Sequence, residues 1–108
     1  MAWLMRGTEV LASLEVADRF WPRVRGLIGR SGLEGALLIK PAASVHSIGM
    51  RFAIDVAFCD VDLVVIRTVK LRRYRATRYV RGAKLVIEAE AGAFERWNLR
   101  RGDQLGVQ

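Results

Sequence analysis

His46, the one histidine of the chain, stands directly before Ser47 and nine residues before Asp55. Imidazole titrates near neutrality and can act as a general base. Ser47 could then supply a nucleophilic hydroxyl and Asp55 could orient the ring, the arrangement of a small hydrolase. No G-x-S-x-G turn surrounds Ser47, however. The same residues have a plainer reading. His46 packs at a strand end against backbone, and Asp55 is a buried carboxylate that accepts backbone amides or pairs with Arg. The plainer reading is the stronger, so no residue is assigned a catalytic role and Asp55 is expected to be structural before it is functional. A binding role remains for the group, with His46, Ser47, Met50, Arg51 and Asp55 as the expected lining of a small pocket.

Metal chemistry finds less support. One His, one Cys and scattered carboxylates show no ligand spacing. No metal and no cofactor are expected. Gly26 and Gly29 fall inside or after a helical stripe rather than before it, so they form no phosphate loop. Arg25, Arg30, Met50 and Arg51 could converge on an anion if the first helix packs beside this block, although a solvated rim of Arg explains them more simply.

The basic residues are unevenly spread. There are 18 Lys and Arg against 11 Asp and Glu, a net charge of +7. From Leu63 to Ile87 stand eight basic residues and no acid, while the remainder holds ten against eleven. The whole excess therefore lies in one stretch, Arg67, Lys70, Arg72, Arg73, Tyr74, Arg75, Arg78, Tyr79, Arg81 and Lys84. Phosphate backbones attract such a stretch and tyrosines can stack on bases. A solvated basic loop, or a docking surface for an acidic partner, is the simpler reading. No helix-turn-helix, zinc-finger or RNA-recognition signature accompanies it. Polyanions are expected to bind Arg72, Arg73, Tyr74, Arg75, Arg78, Tyr79 and Arg81 weakly and without sequence preference.

A chain of 108 residues, 52% apolar and 27% charged, is one globular domain, 1–108, and is too short for a two-domain cofactor enzyme. The single cysteine, Cys59, lies in the apolar run 52–59 and is expected to be an inert core thiol. The first residues lack the long apolar core of a signal peptide, and no apolar window approaches the ~20 residues that cross a bilayer. A cytoplasmic location, no membrane contact and a monomer or weak homodimer are expected.

The elements that must position these residues follow from periodicity. Thr8 to Val16 alternates, with Val10, Ala12, Leu14 and Val16 on one face of a half-buried strand. Phe20, Val24, Leu27 and Ile28 then form one helical stripe, with Pro22 in the first turn and Gly29 at the end. Ala36 to Ile39 is a short buried strand stopped by Pro41, and Ser44 to Ile48 is a candidate for another. Phe52 to Asp60 reads as the central strand: Phe52, Ile54, Val56 and Phe58 on a large face, Ala53, Asp55, Ala57 and Cys59 on a small one. Asp60 to Asp62 turns it back into a strand over 63–71. Arg72 to Gly82 reads as an exposed loop that adds little to the core. Lys84 to Glu90 alternates with Leu85, Ile87 and Ala89 inward and Lys84, Glu88 and Glu90 outward. Gly92 to Trp97 suits a short helix ended by Asn98, and Gln104 to Val107 a last strand.

Three blocks carry a resemblance. Arg23 to Arg30 fits R-x-x-G-L-[LIM]-G-R. Val45 to Asp60 fits V-H-[ST]-x-G-M-R-F-x-I-D-V-x-F-x-D. Ala83 to Gly92 with Gly102-Asp103 fits A-x-x-V-[LI]-E-x-x-A-G…G-D. Together, over about Thr8 to Leu105, the chain resembles domain-of-unknown-function family 192, bacterial and archaeal proteins without an assigned activity. The resemblance implies a compact β-rich fold with a helix after the first strand, and brings no agreed reaction, cofactor or ligand. Many members carry a signal peptide and a Trp-rich middle block; this chain has neither, which fits a cytoplasmic branch. The Arg72 to Arg81 stretch is richer in Arg than that family pattern requires.

The expected architecture is α+β and mainly β: a compact sandwich or barrel-like sheet of six to seven short strands, with one helix after the first strand and a short one near the C-terminus. The leading functional expectation is a non-enzymatic module that binds a small molecule or an acidic partner beside the His46–Asp55 block. Nucleic-acid or polyanion binding through residues 67–84 comes next, and a small hydrolase using His46 and Asp55 comes third.

Overall fold

A computed structural model describes residues 2–17, 35–44, 52–72 and 75–108. Seven strands form one sheet, with β1 at Ala2–Arg6, β2 at Glu9–Ala17, β3 at Ala36–Ile39, β4 at Ile54–Cys59, β5 at Val65–Leu71, β6 at Leu85–Glu90 and β7 at Gly106–Val107. The short helix, α1, is Ala93–Arg96. The strand order is β5-β4-β6-β3-β2-β1-β7. β2 and β3 run parallel, whereas β1–β2, β1–β7, β3–β6, β4–β5 and β4–β6 are antiparallel.

The sheet curls until its two ends approach. Val64 bridges Gln104, the Val65 amide donates to the Asp103 carbonyl at 2.9 Å, and the Leu105 amide donates to the Leu63 carbonyl at 3.0 Å. One face is thereby enclosed. Its cluster joins Leu4 of β1 and Leu105 to Ala57 of β4 and Val65 of β5, residues from opposite ends of the strand order. Phe94 and Leu99 pack into the same cluster. The outer face has its own apolar layer of Leu37, Ile39, Ile54, Val56, Phe58, Leu71 and Val86. β4 is buried at all six positions because it lies between two strands and has an apolar layer on each side. The hairpin expected over 52–71 is present. Its turn is held by Asp60, whose Oδ1 accepts the amides of Asp62 at 2.9 Å and Val64 at 3.0 Å.

Several expectations need correction. β4 is an interior strand but second from one edge; β3 occupies the middle of the order. β1 has no counterpart in the periodicity reading. Its burial runs half-buried, exposed, buried, half-buried and half-buried, so no clean alternation marks it. Val10 does not share a face with Ala12 and Leu14. Leu4 pairs with Ala12 and Met5 with Val10, so Leu11 is an extra residue that flips the phase of β2. Val10 is accordingly exposed; Val16, which keeps the alternation of Ala12 and Leu14, is exposed as well. Glu88 does not point to solvent; it is 3% exposed, because β6 is flanked by β3 and β4 and covered on both faces. The 72–82 segment contributes to the core after all, through Val80 in the outer apolar layer.

Gly35 sets the entry to β3. Its φ is +77°, and a Cβ there would lie 2.7 Å from the Ser13 carbonyl oxygen, so only glycine lets β3 close against β2. The helix expected over 19–28 lies outside the described residues, as do most of the candidate strand at 44–48 and the Arg25, Arg30, Met50 and Arg51 cluster.

Candidate functional site

Asp55 sits on the small face of β4 and is 5% exposed. Its Oδ2 accepts the Gly92 amide at 2.9 Å and the Phe94 amide at 3.1 Å. Gly92 is the N-cap of α1, has φ +99° and carries no side chain that could cap the helix. The carboxylate of a neighbouring strand therefore takes that part, satisfying two amides that the first helical turn leaves unpaired. Asp55 lies directly opposite Lys70 on β5 and Ala89 on β6. A pocket of about 180 Å³ adjoins it, lined by Asp55, Thr68, Val69, Lys70, Gly92, Phe94 and Glu95. Of the residues expected to line a site beside this block, Asp55 is described; His46, Ser47, Met50 and Arg51 lie outside the described residues.

Glu88 is the residue that periodicity missed. It lies on the outer face between Leu37 of β3 and Val56 of β4. Burial pushes its carboxyl up to about 7. The available signal was Val86, two residues earlier in the same alternation as Lys84, Glu88 and Glu90: an apolar residue among positions read as outward argues that the face is covered.

Cys59 is fully buried, with Sγ 4.0 Å from the Ala57 carbonyl oxygen. Burial, with a smaller contribution from the Asp60 charge, pushes its thiol up to about 12. Such a group is neither nucleophile nor metal ligand at neutral pH. Among the described residues, no group of three or more His, Cys, Asp or Glu could hold a metal ion.

The basic stretch occupies one edge of the sheet. β5 is the edge strand, and Arg67, Thr68 and Lys70 are exposed on it. Arg72, Arg75, Arg78, Arg81 and Lys84 continue that exposed surface, and Arg73 and Tyr74 lie outside the described residues. Tyr79 is 71% exposed. The segment is tied down nonetheless: the Val80 amide donates to Ala43 O at 2.8 Å, and the Lys84 amide to Cys59 O at 2.8 Å. Between β5 and this segment is a cleft of about 150 Å³, with Phe58, Val69, Leu71 and Val80 as its apolar part and Arg67, Ala76, Thr77 and Arg78 completing its walls. Arg6 pairs with Glu9 and with Asp103, both far from this edge in sequence. A wider cleft of about 440 Å³ lies by Leu11–Ser13, Gly35, Glu90, Ala93, Arg96 and Trp97, where the charges of Glu90 and Arg96 offset each other.

The model of the family DUF192, described as Uncharacterized ACR, matches residues 3–107. A UPF0127 protein of Pyrococcus furiosus is 31% identical over 105 residues, covering 93% of this chain and 90% of its own. A crystal structure of a protein of unknown function from Novosphingobium aromaticivorans superimposes with TM-score 0.82 at 20% identity, covering 97% of this chain and 82% of that one. A second, from Sinorhizobium meliloti and described as a candidate transcription regulator, gives TM-score 0.80 at 17% identity, covering 98% and 91%. The two structures share the curled, mainly β fold. No helix among the described residues is long and apolar enough to cross a membrane.

Proposed function

The chain belongs to the DUF192 family, and from that premise, which brings a fold but no reaction, we propose that it is a binding protein whose basic edge takes polyanions of the nucleic-acid kind. One observation carries the reading. Of the eight cations between residues 63 and 87, a stretch with no acid, the seven that are described are all exposed along β5 and the segment that follows it. A concentrated patch attracts a phosphate backbone far more strongly than the same charge spread over the surface. The hydrolase reading has less support, since its orienting carboxylate, Asp55, already caps α1. Reduced Cys59 and a nucleic-acid partner both fit the cytoplasm.

A second reading keeps the small pocket beside Asp55, where Lys70 and Glu95 offer opposite charges to a small polar ligand. Lys70→Ala separates the two readings. It removes one wall of the pocket but only one cation of many from the edge, so polyanion retention should persist.

The direct test is retention of labelled oligonucleotides as salt rises from about 50 to 200 mM, where a protein neutralising several phosphates loses orders of magnitude in affinity. Replacing Arg72, Arg73, Arg75 and Arg78 together by Ala should abolish retention and leave the fold intact. Retention that survives in that variant removes the basic edge as the site.

A further inference from the structure

Resting on the polyanion reading above, we infer that the basic edge selects single-stranded nucleic acid and seats an unstacked base in the apolar cleft between β5 and residues 76–80. Charge alone would not call for a cleft. A surface that only gathers phosphates needs cations in water, whereas here Val69, Leu71 and Val80 form an apolar floor over the buried Phe58. Arg67 and Arg78 stand at its walls, and neither has a carboxylate within ion-pair distance among the described residues. A guanidinium plane can stack on a base and also pair with a phosphate, two contacts that an ammonium cannot combine.

Tyr79 adds an independent observation. It follows Arg78 and precedes Val80, so both its chain neighbours line the cleft, yet the residue itself is 71% exposed. Its backbone neighbourhood is fixed by the Val80 amide bond to Ala43. An exposed ring held on an anchored segment amid cations is a stacking platform for a second base. Duplex DNA keeps its bases stacked inside, so neither the cleft nor the ring would be used. Reading a duplex groove calls for a helix or a two-stranded ribbon that enters it; this edge offers a sheet margin and an irregular segment instead. The recognised chemistry is thus a flexible phosphodiester strand with accessible bases, DNA or RNA.

The test is fluorescence anisotropy on the whole chain, using oligothymidylate and oligouridylate of about 15 nucleotides, a length near the upper site size of small single-strand binders. Duplex DNA of the same length, polyphosphate and polyglutamate serve as comparisons. The parent should bind both single strands at least about tenfold more tightly than duplex or polyphosphate, and polyglutamate weakly. Tyr79→Ala should lose on the order of tenfold for single strands and nothing for duplex or polyphosphate, since one stacked base is lost and no charge. Arg67→Lys with Arg78→Lys keeps the charge and should lose single-strand preference. The exposure of Tyr79 keeps its variant folded, which a melting curve checks. Equal binding of single strands and duplex, indifference to Tyr79→Ala, or tight binding of polyglutamate overturns the inference while the basic edge stands. No binding of any polyanion at low salt overturns the underlying reading as well.

Discussion

Asp55 of β4 and Phe94 of α1, residues 39 apart in the chain, are joined by a 3.1 Å bond from the Phe94 amide to the Asp55 carboxylate. The same oxygen holds the Gly92 amide, so one carboxylate fixes where the helix begins. The consequence reaches the core, because Phe94 packs in the enclosed cluster and meets Trp97 in a tilted ring contact with centroids 5.5 Å apart.

Asp55→Ala should therefore destabilise the protein by about 1–3 kcal/mol, through two amides left without a partner in a buried place. Asp55→Asn keeps an acceptor but loses its charge and should fall in between. Thermal melts of the two variants check this. An unchanged melting temperature in Asp55→Ala, accompanied by loss of a bound ligand, would give Asp55 a functional part instead.

Glu88 makes stability depend on pH. Its folded-state value, about 7, lies above the ordinary carboxyl value, so the folded state holds this proton where the unfolded state has released it. The contribution is fully present below about pH 4.5 and is lost as pH rises through about 7. Over that window it amounts to roughly 3 kcal/mol. Glu88→Gln should flatten this part of the profile and melt higher than the parent at pH 8. A denaturant series from pH 5 to 8 measures it; identical slopes in parent and variant would mean that Glu88 does not titrate in this range.

Cys59 should resist thiol reagents in the native protein, labelling only as fast as the chain unfolds, because burial both blocks access and keeps the sulfur protonated. Labelling that is complete within seconds without denaturant would contradict a buried, protonated thiol.

The parts of the fold legible in sequence are those where one rule acts alone. The turn at Asp60 to Asp62, between two apolar runs, marked the β4–β5 hairpin, and Gly92 with Asn98 bracketed α1. Where two rules compete, periodicity misleads. A single extra residue at Leu11 reversed the phase of β2, and β1 is too evenly half-buried to alternate. Glu88 shows the limit for the site. A carboxylate in an alternating strand reads as solvent-facing, and its burial depends on how β3 and β4 flank it, which sequence spacing does not carry. The backbone-accepting part of Asp55 was foreseeable from its apolar strand, but its partners at Gly92 and Phe94 were not, because they come from a distant segment. The basic edge was visible as a charge run; the cleft beneath it exists only once Val80 is anchored over Phe58.

The central claim, that the basic edge binds polyanions, is tested most directly by the salt dependence of oligonucleotide affinity in the parent and in the variant with Arg72, Arg73, Arg75 and Arg78 replaced by Ala. The parent's affinity should fall steeply and log-linearly between about 50 and 200 mM salt, and the variant should show no measurable binding at the low end with an unchanged melting curve. A flat salt profile in the parent, or binding that persists in the variant, would contradict the account.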